Sequence, residues 1–308
     1  MTGAHAIVIG EALVDVIRDA AGGIRRHAGG SPMNVAVGLG RLGIDTTLVT
    51  QLGDDDNGRM IVEHLRDSAV TIEDGSITVD PTSTATANLD ASGAATYDFD
   101  LRWGIEVPVV GGADLIHTGS IGSILEPGAE SVRSVFASAD PSVLLSFDPN
   151  IRPAIMGDHD EVTRLVEDLA ARCHVVKMSD EDAAWLYPQR SLDDIADQYI
   201  AGGTTLFAVT RGRDGCLIRT DAVEVVLPAP AVAVVDTVGA GDAFMSGLLY
   251  AILGSGLTGS VLTGRLDRAG VEHVAGIALR SAAITVARAG ANPPRAGELP
   301  VEPVRSRD

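Results

Sequence analysis

The chain has 308 residues, with 23 Lys and Arg against 42 Asp and Glu and a formal charge of −19. That balance excludes a nucleic-acid partner, because nothing here could neutralise a run of phosphates, while leaving Arg152, Arg211 and Arg213 as local receivers of a small anion. The length suffices for one large α/β domain or two smaller ones.

No stretch reaches the ~18 to 20 apolar residues that span a bilayer, so no membrane partner is expected. The amino end lacks the basic region and small-residue cleavage site of a secretion signal. The two cysteines, Cys173 and Cys216, lie in apolar contexts and read as buried, reduced thiols of a cytoplasmic protein.

In chain order, 5–10 reads as a strand and 13–28 as a hairpin turning at Ala21, Gly22 and Gly23. The stretch 29–43, GGSPMNVAVGLGRLG, contains Gly38, Gly40 and Gly43 at GxGxxG spacing. A dinucleotide turn is nevertheless not expected. Ser31 and Pro32 suit the N-cap and first turn of a helix, Val35, Leu39 and Leu42 keep helical spacing, and Gly43 suits its terminator. The glycines would then sit inside a helix that packs closely, with Gly29, Gly30 and Asn34 at its front, a weak sign of a polyol site.

Strand 46–51 and helix 57–67 follow, then a second hairpin at 85–101 turning at Ala91, Ser92 and Gly93. The two hairpins could pair as a small accessory sheet covering a site, or extend the edges of the main one. Beyond them, strands at 114–117, 143–147, 174–177, 204–210 and 231–235 alternate with helices at 126–138, 161–171 and 192–201. This alternation predicts an α/β fold: a mostly parallel sheet with helices on both faces and ligands at the carboxyl ends of its strands.

The last segment, 236–249, reads DTVGAGDAFMSGLL. Gly239 and Gly241 let the backbone bend and approach a ligand, and the apolar run beyond is of helical length, so the loop opens a helix. A helix N-terminus attracts phosphate or a developing oxyanion. Asp242 at that mouth either caps the helix or takes a hydroxyl proton while the amides of Gly239, Ala240 and Gly241 hold charge.

Together, 29–43 and 236–249 resemble the two signatures of the ribokinase-like, or PfkB, sugar kinases. The resemblance runs from GEALVD at Gly10 to GANPP at Gly290. It is strongest toward bacterial fructokinases through GEALVDVI, YDFDL at Tyr97 and SFDPNIRP at Ser146. It implies a three-layer α/β/α sandwich with a mostly parallel central sheet and a small discontinuous β lid formed by 13–28 and 85–101. It also implies transfer of the ATP γ-phosphate to a primary hydroxyl of a monosaccharide, with fructose the best match and 2-keto-3-deoxygluconate, ribose or a nucleoside the alternatives.

By the same carry-over Asp242 is the base, and Asp15, Gly30 and Asn34 bind sugar hydroxyls. Tyr97, Phe99 and Arg102 are candidate selectors, with Arg102 suited to a sugar-acid carboxylate. Thr210, Gly212 and Gly215 lie near ATP, as does Ser179. Arg152 lies near the phosphates or else in a surface ion pair, and Asn292 lies near the nucleotide base. Asp236 belongs to the region that binds a monovalent cation, potassium, in relatives. The family's Asn and Glu for magnesium are matched here by Ser179 and Asp182, one methylene short, so that Asp182 acts through a water, Glu181 contributes, or the cluster simply starts a helix. The resemblance also implies a homodimer through paired lids. A non-catalytic sugar or nucleotide sensor on the same fold is the reading from another class.

Overall fold

The computed structural model describes residues 3–90 and 95–299. In chain order come β1 (His5–Ile9), the hairpin β2 (Leu13–Arg18) and β3 (Ile24–Gly29), and helix α1 (Ser31–Arg41). Next are β4 (Asp45–Val49), β5 (Leu52–Gly53), α2 (Asp56–Asp67), β6 (Val70–Ile72) and β7 (Ile77–Thr78). A second pair, β8 (Thr84–Leu89) and β9 (Ala95–Asp100), precedes β10 (Leu115–Gly119), α3 (Gly128–Ser138), β11 (Leu144–Asp148), α4 (Pro153–Met156) and α5 (His159–Ala170). The carboxyl half contains β12 (Val175–Ser179), α6 (Asp180–Leu186), α7 (Leu192–Ala201), β13 (Leu206–Thr210), β14 (Cys216–Arg219) and β15 (Glu224–Leu227). Helices α8 (Ala240–Gly254), α9 (Thr258–Leu262) and α10 (Arg268–Val286) complete it.

Nine strands form one sheet in the order β15-β14-β13-β12-β11-β10-β1-β4-β6. Pairing is parallel from β13 through to β6 and antiparallel only at β13–β14–β15. Covered on both sides, β10 and β11 are buried along their whole length. Residues of α1, α2, α8 and α10 pack one face of the sheet, and those of α3, α5, α6 and α7 pack the other. The fold is therefore α/β in three layers, and the parallel strands deliver their carboxyl ends to one edge.

Helix α1 settles the glycine pattern. Gly38 and Gly40 lie inside it: a Cβ on Gly38 would come 2.2 Å from Ser246 Oγ of α8, and one on Gly40 would come 2.4 Å from the Ser68 carbonyl. Gly43, at φ 88°, follows the helix, with bonds from Gly43 N to Gly40 O and Ile44 N to Leu39 O that close it. One local expectation is corrected. The N-cap is Gly30, at φ 113°, and Ser31 is the first helical residue, because the backbone must turn sharply where a Cβ would strike the Glu11 carbonyl at 2.5 Å.

The two hairpins join into a four-stranded sheet of its own, β3-β2-β8-β9, with β2 and β8 parallel. The turn expected at Ala91, Ser92 and Gly93 lies outside the described residues. The strand expected at 231–235 is absent: its residues join no sheet, and Val232, Val234 and Val235 are exposed. Its Ala and Val content favours a strand only beside a partner strand, and this segment instead crosses to α10, bonding Val235 N to Val286 O at 2.7 Å.

Gly38→Ala should destabilise the protein by roughly 1–3 kcal/mol in urea unfolding, overpacking outweighing the helix-propensity gain. Adding Ser246→Gly should give less than the sum of the two single effects; strict additivity would mean the α1–α8 contact is not tight.

Candidate active site

Two helix N-termini meet at the site. Gly239, at φ 75°, caps α8, and a Cβ there would lie 2.5 Å from that of Ala291. Asp236 secures the loop before it by accepting from Val238 N (3.0 Å) and Gly290 N (2.9 Å), bonds that hold its carboxyl below the ordinary value. Ala240 N bonds Thr237 O at 3.2 Å, so its amide is turned into the loop.

Asp242, in the first turn of α8, is buried. Ser31 Oγ donates to its Oδ1 at 2.7 Å and Asn34 Nδ2 to its Oδ2 at 2.8 Å, both from the first turn of α1. Burial pushes its pKa up, while the bonds from Asn34 and Ser31 and the charges of Lys177 and Arg152 work against that. Asn34, expected on a sugar hydroxyl, thus holds the carboxylate. A serine before Pro32 reads as a cap, and no pattern local to 29–43 points Ser31 to a partner 211 residues away.

Asp15 stands beside this pair. It faces His27 across β2–β3, and its Oδ2 would lie 2.2 Å from a Cβ on Gly29. Burial raises its pKa, countered by the charges of His27 and Arg152, and Arg152 acts in the same direction on Asp242. The register aligns His27, Asp15, Ala85 and Phe99 in one row across the small sheet, with Tyr97 two residues along on the same face. Tyr97 and Phe99 are 63% and 39% exposed, and their rings are stacked at 6.2 Å. Arg102 instead turns to Asp100, at 2.5 Å, and to its neighbour's carbonyl.

On the other side of Asp242 lies a cavity of about 800 Å³ lined by Arg152, Lys177, Ser179, Glu181, Thr210 and Gly241, among others. A second cavity, about 520 Å³, shares Thr210, Gly212 and Gly241 with it and adds Gly215 and the apolar Val232, Val234 and Phe244. Gly212 and Gly215 take φ 50° and 87° in the turn between β13 and β14. Asn292 lines neither cavity, and its Oδ1 accepts from Arg41 at 2.7 Å.

Ser179 and Asp182 form a capping box on α6, and Asp182 Oδ1 also accepts from Ile151 N at 2.8 Å. Both Asp182 oxygens are therefore committed to backbone amides, tying the loop after β11 to α6, whereas Glu181 is exposed at the cavity wall. Among the described residues no cluster of three or more His, Cys, Asp or Glu could hold a metal ion. The donor set fits a magnesium ion carried by phosphates and waters with a carboxylate at its edge, not a protein cage.

Beneath the site runs a buried polar layer. Lys177 Nζ bonds Asp148 Oδ2 at 2.8 Å, and His117 Nδ1 meets Ser146 Oγ at 2.9 Å. Glu11 accepts from Gly122 N (2.9 Å) and Ser31 N (3.3 Å); burial pushes its pKa to about 7. Glu11 and Asp148 lie within GEALVD and SFDPNIRP, and Lys177 in an apolar strand run, but nothing in those stretches assigns the three a role in the site.

A sequence profile described as pfkB family carbohydrate kinase matches residues 4–296. The chain belongs to that family. This pfkB carbohydrate kinase is 34% identical over 255 residues to a fructokinase of Rhizobium leguminosarum bv. trifolii, covering 79% of this chain and 78% of the relative. It is also similar to a fructokinase double mutant from Vibrio cholerae O395 solved with fructose, ADP and potassium, at TM-score 0.79 and 26% identity over 94% of each chain. A Salmonella enterica aminoimidazole riboside kinase, solved with aminoimidazole riboside and an ATP analog, matches at TM-score 0.74 and 26% identity over 96% of this chain and 97% of that one. The enzyme is thus a sugar phosphotransferase on the ribokinase-like fold.

Glu11 gives the kinase a pH-dependent stability. With a pKa near 7 in the fold against 4.5 when exposed, the folded chain holds the extra proton, so this contribution is full below pH 4.5 and is lost as pH rises through 7. Glu11→Gln should flatten the fall in urea stability between pH 5 and 8; an unchanged slope would contradict the assignment.

Proposed function

We propose that the enzyme transfers the γ-phosphate of ATP to a primary hydroxyl of a monosaccharide, fructose being the favoured substrate. One observation carries this reading: Asp242 is buried at the mouth of α8, with the Asp15 face of the small sheet on one side and the large cavity on the other. A hydroxyl held by Asp15 and the Gly30 turn comes within reach of the Asp242 carboxylate, which takes its proton. The α8 N-terminus and Arg152 stabilise charge on the transferring phosphoryl group.

The nucleotide occupies the two joined cavities, phosphates in the larger beside Gly212 and Gly241, base against the valines of the smaller. Magnesium, with Glu181 or Asp182 reaching it through water, supplies charge neutralisation on those phosphates. Asp236, whose loop is closed by Gly290, is the candidate for a potassium ion, the cation held by the Vibrio relative. The four-stranded sheet acts as the lid that excludes water, and its exposed Tyr97 and Phe99 offer a surface for a paired-lid homodimer.

The Arg102–Asp100 pair argues against a sugar acid, since the guanidinium that would receive a carboxylate already has one. The stacked Tyr97 and Phe99 favour a second reading, a nucleoside substrate, because a base can lie on an aromatic face.

A coupled ADP-release screen over fructose, ribose, 2-keto-3-deoxygluconate and common nucleosides should give the highest kcat/KM with fructose; preference for a nucleoside would replace the substrate assignment. Asp242→Asn should lower kcat by about 10²- to 10⁴-fold with folding and ATP binding retained, and near-normal turnover would rule out Asp242 as the base. Because burial raises the Asp242 pKa, the base form is lost on acidification above the ordinary carboxylate range, so kcat should fall on the acid side of a pH profile.

A further inference from the structure

A lysine ammonium is rarely buried without a compelling partner, and Lys177 is 3% exposed in a strand whose neighbours Val175, Val176 and Met178 belong to the apolar cores. Its partner Asp148 is 0% exposed, and only one of its oxygens is used: Oδ1 has no hydrogen-bond partner among the described residues. An incompletely satisfied buried ion pair is a poor device for stability, because desolvation offsets the attraction and apolar residues of similar size often do as well.

Position 241 shows what the pair serves. Gly241 has no positive φ, so its backbone conformation does not require glycine. A Cβ there would instead come 2.9 Å from Lys177 Nζ. The ammonium therefore packs directly behind the first turn of α8, next to Asp242, and lines the same cavity. Although burial disfavours its charge, Asp148, Asp182 and Asp242 together hold the Lys177 pKa above its ordinary value.

We infer that Lys177, locked in place by Asp148, is a positioning residue for phosphoryl transfer, the fixed positive charge that balances the buried Asp242 carboxylate from behind Gly241. Glycine at 241 is the space through which that charge acts. The inference rests on the reading of Asp242 as the base.

Other groups around Asp242 do not replace this charge. Ser31 and Asn34 of α1 are neutral, and His117 on β10 is kept uncharged by burial and by Lys177 itself. Asp148 and Asp182 are negative. Arg152 is exposed at the cavity wall, where solvent and salt weaken its field.

The test compares pH profiles of kcat and kcat/KM for the wild type, Lys177→Met, Asp148→Asn/Lys177→Met and Asp242→Asn. Lys177→Met should lower kcat at neutral pH by about tenfold or more, leave the sugar KM within about threefold, and move the acid limb up by about one pH unit, as expected for loss of an opposite charge near a carboxylate. The double variant removes the stranded Asp148 charge, so it should fold even if Lys177→Met does not, and its acid limb should move the same way. An acid limb coincident with the wild type in the folded variants, or full recovery of kcat in the double variant, would overturn the inference. Retained turnover in Asp242→Asn would instead overturn the base assignment, so the two failures are distinguishable.

Discussion

The site depends on two hydrogen bonds that join the starts of helices more than 200 residues apart: Ser31 and Asn34 of α1 to the two oxygens of Asp242 in α8. A carboxylate at a helix N-terminus is favoured by the helix, but this one is also buried, and burial disfavours its charged form. The two neutral donors meet part of that cost and fix the carboxylate's direction. They can do so only because α1 and α8 approach closely enough for a Cβ on Gly38 to strike Ser246.

Around that junction the chain sorts polar groups by depth. The deepest layer, Glu11, His117, Asp148 and Lys177, is buried; it links neighbouring strands to one another and, through Glu11, to the start of α1. The next, Asp15, Asn34 and Asp242, meets the cleft and the cavity. The outermost, Arg152, Glu181 and the aromatic pair of β9, is exposed and free to meet a ligand. A chain carrying −19 overall still places Arg152, Lys177, Arg211 and Arg213 along the cavity where phosphates are proposed to lie.

The parallel core was legible because its signal is local. Strands buried on both faces are short β-branched runs, and the helices between them show 3.6-residue periodicity, so 5–10 and 57–67 map onto β1 and α2. The segment 231–235 failed because its valines carry the same local signal without a partner strand. The bond between Asn292 and Arg41 of α1, which lie 251 positions apart, was likewise not legible in either segment. Ser179 and Asp182 read equally as cap or metal ligand, and both Asp182 oxygens proved to be held by amides.

By itself the sequence determined the reaction class, since two glycine-rich signatures and the aspartate of the second are written in contiguous residues, and the alternation of strands and helices is a property of short windows. Only the tertiary structure decided which groups act on that aspartate. Ser31 across 211 residues, Lys177 behind Gly241, and Phe99 in register with Asp15 are relations between distant segments. They are set by close packing and strand pairing, which leave no periodicity or motif in the chain to read.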